Sequence, residues 1–236
     1  MTTCIAHRGW SGKAPENTLA AFELALNEPK IYSIELDIHL SKDDVPVVIH
    51  DYTIDRTTDG KGFVSDYTAE ELAAFDAGQW FSPEFKGQNI PTLEEVIELV
   101  KGKKKLLIEL KQMGARYPKM EEKVVELIQK HELHDEVVIM SFDHESAKKV
   151  KELDGKIEIG ITFIGRPTML EEQLAYTGAT HLSLHHGYMT EEFMEQLRQL
   201  NVEVGVWTVD DAESIDRIQN IDPTIFITTN HPVLLV

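Results

Sequence analysis

The stretch YSIELDIHL, residues 32–40, alternates as a β-strand whose two faces differ chemically. Ile34 and Ile38 fall on one face and Glu35 and Asp37 on the other, because strand side chains alternate at period 2. A parallel sheet covered by helices on both sides carries apolar residues on both faces of its strands. A polar face near the end of an otherwise apolar strand is instead expected at the mouth of a barrel.

Seven further strand-like segments follow the same plan, with amphipathic helical patterns between them. Such alternation predicts a parallel sheet. Eight strands in 236 residues favour a (β/α)8 TIM barrel, with a doubly wound open sheet as the alternative. Other strands with polar or small residues on one face, such as Glu158, Gly160 and Thr162, favour the barrel. The eight segments are residues 3–7, 32–40, 105–110, 136–142, 157–163, 180–185, 202–209 and 224–229.

The region of residues 51–91 interrupts this alternation after the second strand. It is too long for an ordinary βα loop, and only one short helical pattern, TAEELAAF, lies within it. We expect a small inserted subdomain at the barrel mouth, within a single domain of residues 1–236. The preceding segment VPVVIHD predicts a short strand that pairs back after a turn at residues 42–44. Asn17 and Thr92 are placed as N-caps of the helices that follow them.

The composition limits the partners and the compartment of the protein. The chain has 23 Lys and Arg residues against 41 Asp and Glu residues, and its formal charge of −18 repels nucleic acid and anionic membranes. It lacks an apolar run of 18 residues, and the opening MTTCIAHRGW lacks the pattern of a secretory signal. The single cysteine, Cys4, fits a reducing compartment. We therefore expect a cytoplasmic enzyme that acts on a small molecule, without nucleic acid or stable membrane association and of unknown oligomeric state.

Three acidic residues suggest a cation site. Glu35 and Asp37 share a strand face with Cα atoms roughly 7 Å apart, and two buried carboxylates repel unless one is protonated or a cation lies between them. Mg²⁺ or Ca²⁺ suits such oxygen ligands, whereas a solvent-facing strand edge is the alternative. Glu109 lies in the C-terminal half of the next apolar strand, which we expect to neighbour the first in a barrel, and it favours the cation site. Lys111, on the same face, is placed either to meet an anionic substrate or to form a surface pair with Glu109.

Two histidines end apolar strands at the same expected mouth. His7 and His50 can perform acid/base chemistry near neutral pH, although a histidine at such a position is also commonly structural. Arg8 offers a fork of donors for a phosphate. With a metal, these groups suit the cleavage of a phosphodiester. Trp207 is placed either to line the mouth or to pack in the barrel centre.

The motifs resemble those of the glycerophosphodiester phosphodiesterase family, in the same order along nearly the whole chain. HRG and PENTLAAF, in residues 7–22, resemble the opening motif, and IELDIHLSKDDVPVVIHDYTIDRTTDGKG, residues 34–62, resembles the second. IPTLEEVIEL, LLIELK, SFD, VWTVD and ITTNHP follow. Asp210 stands where Asn is more usual in the family, and Asn230–His231 stand where Asp–Tyr is common.

The resemblance implies hydrolysis of a glycerophosphodiester to glycerol 3-phosphate and an alcohol, a reaction of lipid and glycerol metabolism. It implies one divalent cation, Mg²⁺ or Ca²⁺. The implied site consists of a metal-binding set, Glu35, Asp37 and Glu109, an acid/base pair, His7 and His50, and substrate-binding residues, Arg8, Lys111 and Trp207. A phosphodiesterase of lysophospholipids or phosphoinositides is the nearest alternative, and the lack of a basic or amphipathic membrane-binding segment disfavours it. A catalytically silent metal-binding barrel and a sugar- or amide-processing barrel are more distant alternatives.

Overall fold

Eight parallel strands close into a barrel in the computed structural model, which describes residues 3–236. The closure is made by β1 (Cys4–Ala6), which pairs with β2 (Ile31–Leu40) on one side and with β9 (Phe226–Thr229) on the other. The predicted TIM barrel is therefore confirmed, and the open-sheet alternative is wrong. The other barrel strands are β4 (Lys105–Leu110), β5 (Val137–Ser141), β6 (Glu158–Phe163), β7 (His181–His185) and β8 (Glu203–Trp207).

Helices cover the outer, apolar faces of these strands. Ile34 and Leu36 of β2 are fully buried in one large apolar cluster that also contains Phe22 and Ile97 from the surrounding helices. This leaves the opposite face of β2, with Glu35 and Asp37, directed into the barrel. The covering helices are α1 (Leu19–Leu26), α3 (Leu93–Val100), α4 (Met120–Lys130), α5 (His144–Leu153), α6 (Leu170–Thr177), α7 (Glu191–Arg198) and α8 (Ala212–Ile221).

The two predicted N-caps have different outcomes. Thr92 caps α3 as expected: its hydroxyl accepts from the Glu95 N–H, and the Glu95 carboxylate accepts from the Thr92 N–H. The prediction for Asn17 is wrong, because Thr18 caps α1 and accepts from the backbone N–H of Ala21. Asn17 has a φ of 57° and turns its side chain toward the barrel mouth. Asn17, although its residue type is typical of an N-cap, instead donates a hydrogen bond to Asp37 at the barrel mouth.

The chain between β2 and α3 forms a small cluster of its own. β3 (Pro46–Val48) pairs antiparallel with the end of β2, which confirms the predicted short strand. α2 (Ala69–Ala73) lies within the predicted helical pattern. A separate apolar cluster holds this region together through Val47, Ile49, Ile54, Val64, Leu72, Ala77 and Ile90. None of the helices in residues 3–236 is long and apolar enough to cross a membrane.

A close backbone approach at Gly9 joins the loop after β1 to α1. Gly9 has a φ of 77°, and an added Cβ would lie 2.7 Å from the backbone carbon of Ala21. The N–H of Trp10 donates to the carbonyl of Ala21 over 2.9 Å. Only glycine fits here, since both the conformation and the space exclude a side chain. The loop that carries His7 and Arg8 is thus packed directly against a helix.

A matched pair of glycines tests this packing. Gly102 has a similar φ of 72°, but nothing lies within 4 Å of the position of its Cβ. Gly102→Ala should lower the free energy of unfolding by about 1–2 kcal/mol, the cost of a left-handed residue. Gly9→Ala should lower the free energy of unfolding by the same amount and by about 1–3 kcal/mol more, because its Cβ would overlap with Ala21. Urea unfolding measures both, and equal losses would contradict the close approach.

Candidate active site

Three carboxylates meet inside the carboxyl end of the barrel. Asp37 and Glu109 are register partners on the adjacent strands β2 and β4, and Glu35 lies one pleat before Asp37 on β2. Each offers an oxygen within 4.8 Å of an oxygen of the other two. Glu35 and Asp37 are buried and Glu109 is half-buried. Such an all-oxygen set can hold a hard divalent cation, Mg²⁺ or Ca²⁺.

Two basic side chains contact this cluster and neutralise its negative charge mainly at Asp37. Lys111 Nζ lies 2.8 Å from Asp37 Oδ1 and also contacts Glu109, and Arg8 Nε lies 3.3 Å from Asp37 Oδ2. Burial opposes the ionisation of Asp37, but Lys111 and Arg8 overcome it and hold its pKa far below the usual range. Burial raises the pKa of both Glu35 and Glu109, and the charge of Asp37 adds to that rise. The negative charges of Glu35 and Glu109 are therefore only partly neutralised by Lys111 and Arg8, and a divalent cation would neutralise them further.

Backbone and amide donors fix the orientation of these carboxylates. The N–H of Arg8, a residue with a φ of 55°, donates to Glu35 Oε2 over 2.9 Å. Asn17 Nδ2 donates to Asp37 Oδ2 over 2.8 Å. Both donors belong to the loop between β1 and α1, which Gly9 fastens to the helix. The HRG and PEN segments of the sequence thus contribute to the acid cluster as well as to the phosphate-binding donors expected there.

His7 directly follows β1, and its ring is held in one tautomer. Nδ1 lies 2.7 Å from Asn230 Oδ1, while Asn230 Nδ2 donates to Asp210 Oδ2 over 2.6 Å. Since the amide NH₂ is committed to a carboxylate, its oxygen faces His7 and accepts, and His7 carries its proton on Nδ1. The lone pair is left on Nε2, which lies 3.9 Å from Glu35 Oε2. Burial lowers the pKa of His7 to about 4, so the ring is neutral near pH 7.

Asn230, the partner of His7, and Asp210, the partner of Asn230, are two of the positions at which the sequence departs from the motifs that it resembles. Asp210 also accepts from the backbone N–H of Asn230 over 2.8 Å and from Thr229 Oγ1 over 3.0 Å. Ser11 Oγ donates to Asn230 Oδ1 over 2.6 Å. The carboxylate and the amide therefore form one hydrogen-bonded unit next to His7. Sequence reasoning missed this contact, although the two departures in one sequence were a signal for it.

His50 follows β3 and is held by a chain of ion pairs. Its Nδ1 lies 2.7 Å from Asp51 Oδ1, and Arg56 Nε donates to Asp51 Oδ2 over 2.7 Å. Arg56 also makes two 2.8 Å hydrogen bonds to Glu16, which in turn accepts from Arg8. Burial lowers the pKa of His50, and Asp37 and Asp51 oppose the shift. The chain of pairs connects the region after β3 to the loop after β1.

His39, to which the sequence analysis assigned no role, forms a hydrogen bond with the backbone of His50. It is fully buried, with Nε2 3.0 Å from the carbonyl oxygen of His50 and Nδ1 2.9 Å from the hydroxyl of Tyr117. A carbonyl can only accept, so Nε2 carries the proton and Nδ1 accepts from Tyr117. The ring of Tyr52 packs edge-on against His39 at 4.8 Å. His39 thus fixes the backbone at His50.

Two depressions open side by side at this end of the barrel. The enclosed one, which we name the site cavity, has a volume of about 250 Å³. The open one, which we name the outer cleft, has a volume of about 810 Å³ and lies between the loops after β3, β4, β5 and β6. The residues that border both are His50, Glu109, Lys111, Phe142 and Ile164.

The structure brings the eight predicted site residues together. Trp207 lines the site cavity, which decides between its two predicted positions, and its ring packs edge-on against Phe142 at 5.5 Å and His185 at 5.6 Å. Asp37 lies buried beside the cavity, in contact with Lys111. The cavity wall contains the other predicted residues, His7, Arg8, Glu35, His50, Glu109 and Lys111.

Known proteins share this sequence and architecture. Residues 7–233 match the model of the glycerophosphoryl diester phosphodiesterase family. A glycerophosphodiester phosphodiesterase of Caldanaerobacter subterraneus is 41% identical over 220 residues, which are 92% of this chain and 89% of the relative. The solved structure of an Oleispira antarctica phosphodiesterase in complex with the product sn-glycerol-3-phosphate is 30% identical, with a TM-score of 0.92 over 98% of this chain and 94% of that one. A glycerophosphodiester phosphodiesterase structure from Agrobacterium tumefaciens is 30% identical, with a TM-score of 0.85 over 99% and 98%.

If Asp210 and Asn230 fix the tautomer of His7, exchanging the two residues should preserve that tautomer. In Asp210→Asn the acceptor that orients the Asn230 amide becomes an amide itself, so we expect His7 to populate both neutral tautomers. The double variant Asp210→Asn/Asn230→Asp again places an acceptor opposite His7 Nδ1 and should restore the single Nδ1–H form. Nitrogen-15 NMR of the imidazole distinguishes the tautomers, with His7→Gln to assign the signal. An unchanged His7 tautomer in Asp210→Asn would contradict the role of the unit.

Proposed function

Because the chain belongs to the glycerophosphoryl diester phosphodiesterase family and is an enzyme of that class, we propose that it hydrolyses glycerophosphodiesters to glycerol 3-phosphate and an alcohol. The main support is that two differently held imidazoles and a carboxylate cluster border one cavity. The cavity, about 250 Å³, is smaller than the roughly 300–1,000 Å³ of drug-sized ligand sites. It therefore suits a small polar molecule such as the glycerol 3-phosphate bound by the Oleispira antarctica relative. We place the reaction in cytoplasmic lipid and glycerol metabolism.

We assign one divalent cation, Mg²⁺ or Ca²⁺, to Glu35, Asp37 and Glu109. The fit rests on three buried or half-buried oxygen donors, and the pKa values of two of them, Glu35 and Glu109, are raised by burial and by the charge of Asp37. When bound, such an ion supplies positive charge to a phosphate oxygen and to the charge that develops during reaction. Arg8 and Lys111 border the same cavity, so both are positioned to neutralise the phosphate.

We assign His7 as the general base. Its Nε2 carries a lone pair, because the ring proton lies on Nδ1, which donates to Asn230 Oδ1. In the reaction, Nε2 accepts the proton of the nucleophile, and the nucleophile's oxygen forms a bond to phosphorus. Both a water molecule and the substrate's own neighbouring hydroxyl satisfy this scheme, the latter through a cyclic phosphate that water then opens. The bond between phosphorus and the leaving alcohol oxygen breaks in the same displacement.

We assign His50 as the general acid, which protonates that leaving oxygen. Asp51 favours the charged form of His50, whereas the partner of His7 is a neutral amide. His50 also borders both the site cavity and the outer cleft, whereas His7 borders the site cavity. A proton donor at that boundary is next to the place where a leaving group can depart. The proton lost by His50 is replaced from solvent, and His7 returns its own to solvent.

A change of leaving group tests the two histidine roles. An alkoxide needs a proton when it leaves, whereas p-nitrophenolate does not, so the general acid matters only for the alkyl ester. We expect His50→Gln to slow the release of glycerol 3-phosphate from glycerophosphoethanol by about 10²–10⁴-fold, with a far smaller loss on glycerophospho-p-nitrophenol. His7→Gln should slow both substrates alike. The reverse pattern would exchange the roles, and full activity of both variants would sink the acid/base pair.

Removal of the metal tests the cluster. We expect glycerol 3-phosphate release from glycerophosphocholine to stop in EDTA and to return with Mg²⁺ or Ca²⁺, because the charge that the cation supplies to the phosphate is then lost and regained. Glu35→Gln should need a higher metal concentration for half-maximal rate. The matched control is Glu98→Gln, which removes the same charge at an exposed position of α3. Activity that survives EDTA would contradict the metal assignment, and no product with any metal would sink the proposed function.

A further inference from the structure

The outer cleft exposes large apolar side chains on three successive loops at the barrel mouth. Met113, Phe142 and Ile164 follow β4, β5 and β6, and they are 59%, 42% and 69% exposed. All three border the cleft. Single exposed apolar residues need no explanation, but a contiguous exposed group beside a reaction site indicates a binding surface.

The walls of the cleft are braced. The N–H of Gly114 donates to Asp143 Oδ2 over 3.1 Å, which ties the loop after β4 to the loop after β5. The other carboxylate oxygen of Asp143 caps α5. Tyr52 also lines the cleft, and the guanidinium of Arg116 lies 4.9 Å from the centre of its ring and 5.3 Å from that of Phe63. The apolar surface is therefore held in place by contacts across loops.

The charge of the cleft is one-sided. Four carboxylates line it, of which Asp51 and Glu109 are paired with Arg56 and Lys111, so Asp143 and Glu145 supply its unpaired negative charge among the described residues. Lys111 is the one Lys or Arg among its described lining residues, and its ammonium is committed to Asp37 and Glu109. The cleft thus offers apolar contact and repels negative charge.

We propose that the outer cleft binds the leaving alcohol of the substrate and selects alcohols with an apolar chain over small or anionic ones. This assignment rests on the proposed function and extends it. The glycerol phosphate portion is common to all the substrates and matches the smaller site cavity, whose wall contains the cations Arg8 and Lys111. The alcohol portion varies, and the open cleft of about 810 Å³ beside it has room for a chain of several carbons. His50 stands on the border between the two, where the ester bond would lie.

A series of synthetic diesters tests the selection. The probes are sn-glycero-3-phosphomethanol, its hexanol analogue, the ester of 6-hydroxyhexanoate, and the methanol diester with a hexanoyl chain on the glycerol. A fully buried methylene contributes about four-fold in binding, and a half-buried one about two-fold. We therefore expect kcat/KM of the hexanol diester to exceed that of the methanol diester by about 30-fold. The terminal carboxylate of the hydroxyhexanoate ester should cancel most of this gain.

Methionine variants locate the effect in the cleft. Met113→Gln should lower the ratio of hexanol to methanol kcat/KM by about three-fold or more, because it replaces apolar contact with a polar amide. Met169→Gln is the matched control, since Met169 is 68% exposed and borders a different depression. It should leave the ratio unchanged.

Each contrary outcome has a distinct meaning. If the methanol and hexanol diesters react at equal rates, the selection is overturned while the proposed function stands. If the chain accelerates hydrolysis only when it is on the glycerol, the cleft holds the glycerol substituent and the assignment to the alcohol is wrong. If Met169→Gln lowers the ratio as much as Met113→Gln, the effect does not arise in the cleft. If no diester releases glycerol 3-phosphate with any metal, the proposed function fails first.

Discussion

The close approach of three carboxylates, two of them buried and one half-buried, at one end of the barrel is the constraint on which the rest of the site depends. The negative charges of Glu35, Asp37 and Glu109 repel one another, and little solvent reaches them to screen this repulsion. Lys111 and Arg8 offset part of this charge, chiefly at Asp37. The proposed cation would neutralise the carboxylate charge that Lys111 and Arg8 leave uncompensated.

The two imidazoles acquire different characters from their partners. His7 faces a neutral amide, and His50 faces a carboxylate. The half-buried pair formed by Asp210 and Asn230 sets the first environment, and the Asp51–Arg56 pair sets the second. The two imidazoles therefore differ in the way that the proposed base and the proposed acid require.

The sequence predicted the barrel and the members of the site because both depend on local patterns. Alternation along residues 32–40 places Glu35 and Asp37 on the inner face, and parallel register then places Glu109 beside Asp37. The ends of the apolar strands suggested His7, Arg8 and His50 as further members, and the resemblance to a family implied the same residues. Local pattern failed at Asn17, because a contact with Asp37 of β2 competes with the capping that the sequence favoured.

The remaining features depend on contacts between distant segments. The bond between Asp210 and Asn230 spans 20 residues, and that between His39 and Tyr117 spans 78. No periodicity marks such pairs, because they exist only once the strands are arranged around the barrel. The outer cleft is of the same kind, since its apolar side chains come from three separate loops. The structure therefore adds the shape of the cavities and the pairing of distant residues, which the sequence pattern does not reveal.

Titration calorimetry of Mg²⁺ and Ca²⁺ into the metal-free protein tests the central claim most directly. The charge balance predicts one saturable site for each chain, weakened at least ten-fold by Glu109→Gln and unaffected by the exposed substitution Glu98→Gln. Absence of saturable binding, or equal affinity in the Glu109→Gln variant, would contradict the claim that the three carboxylates form a cation site.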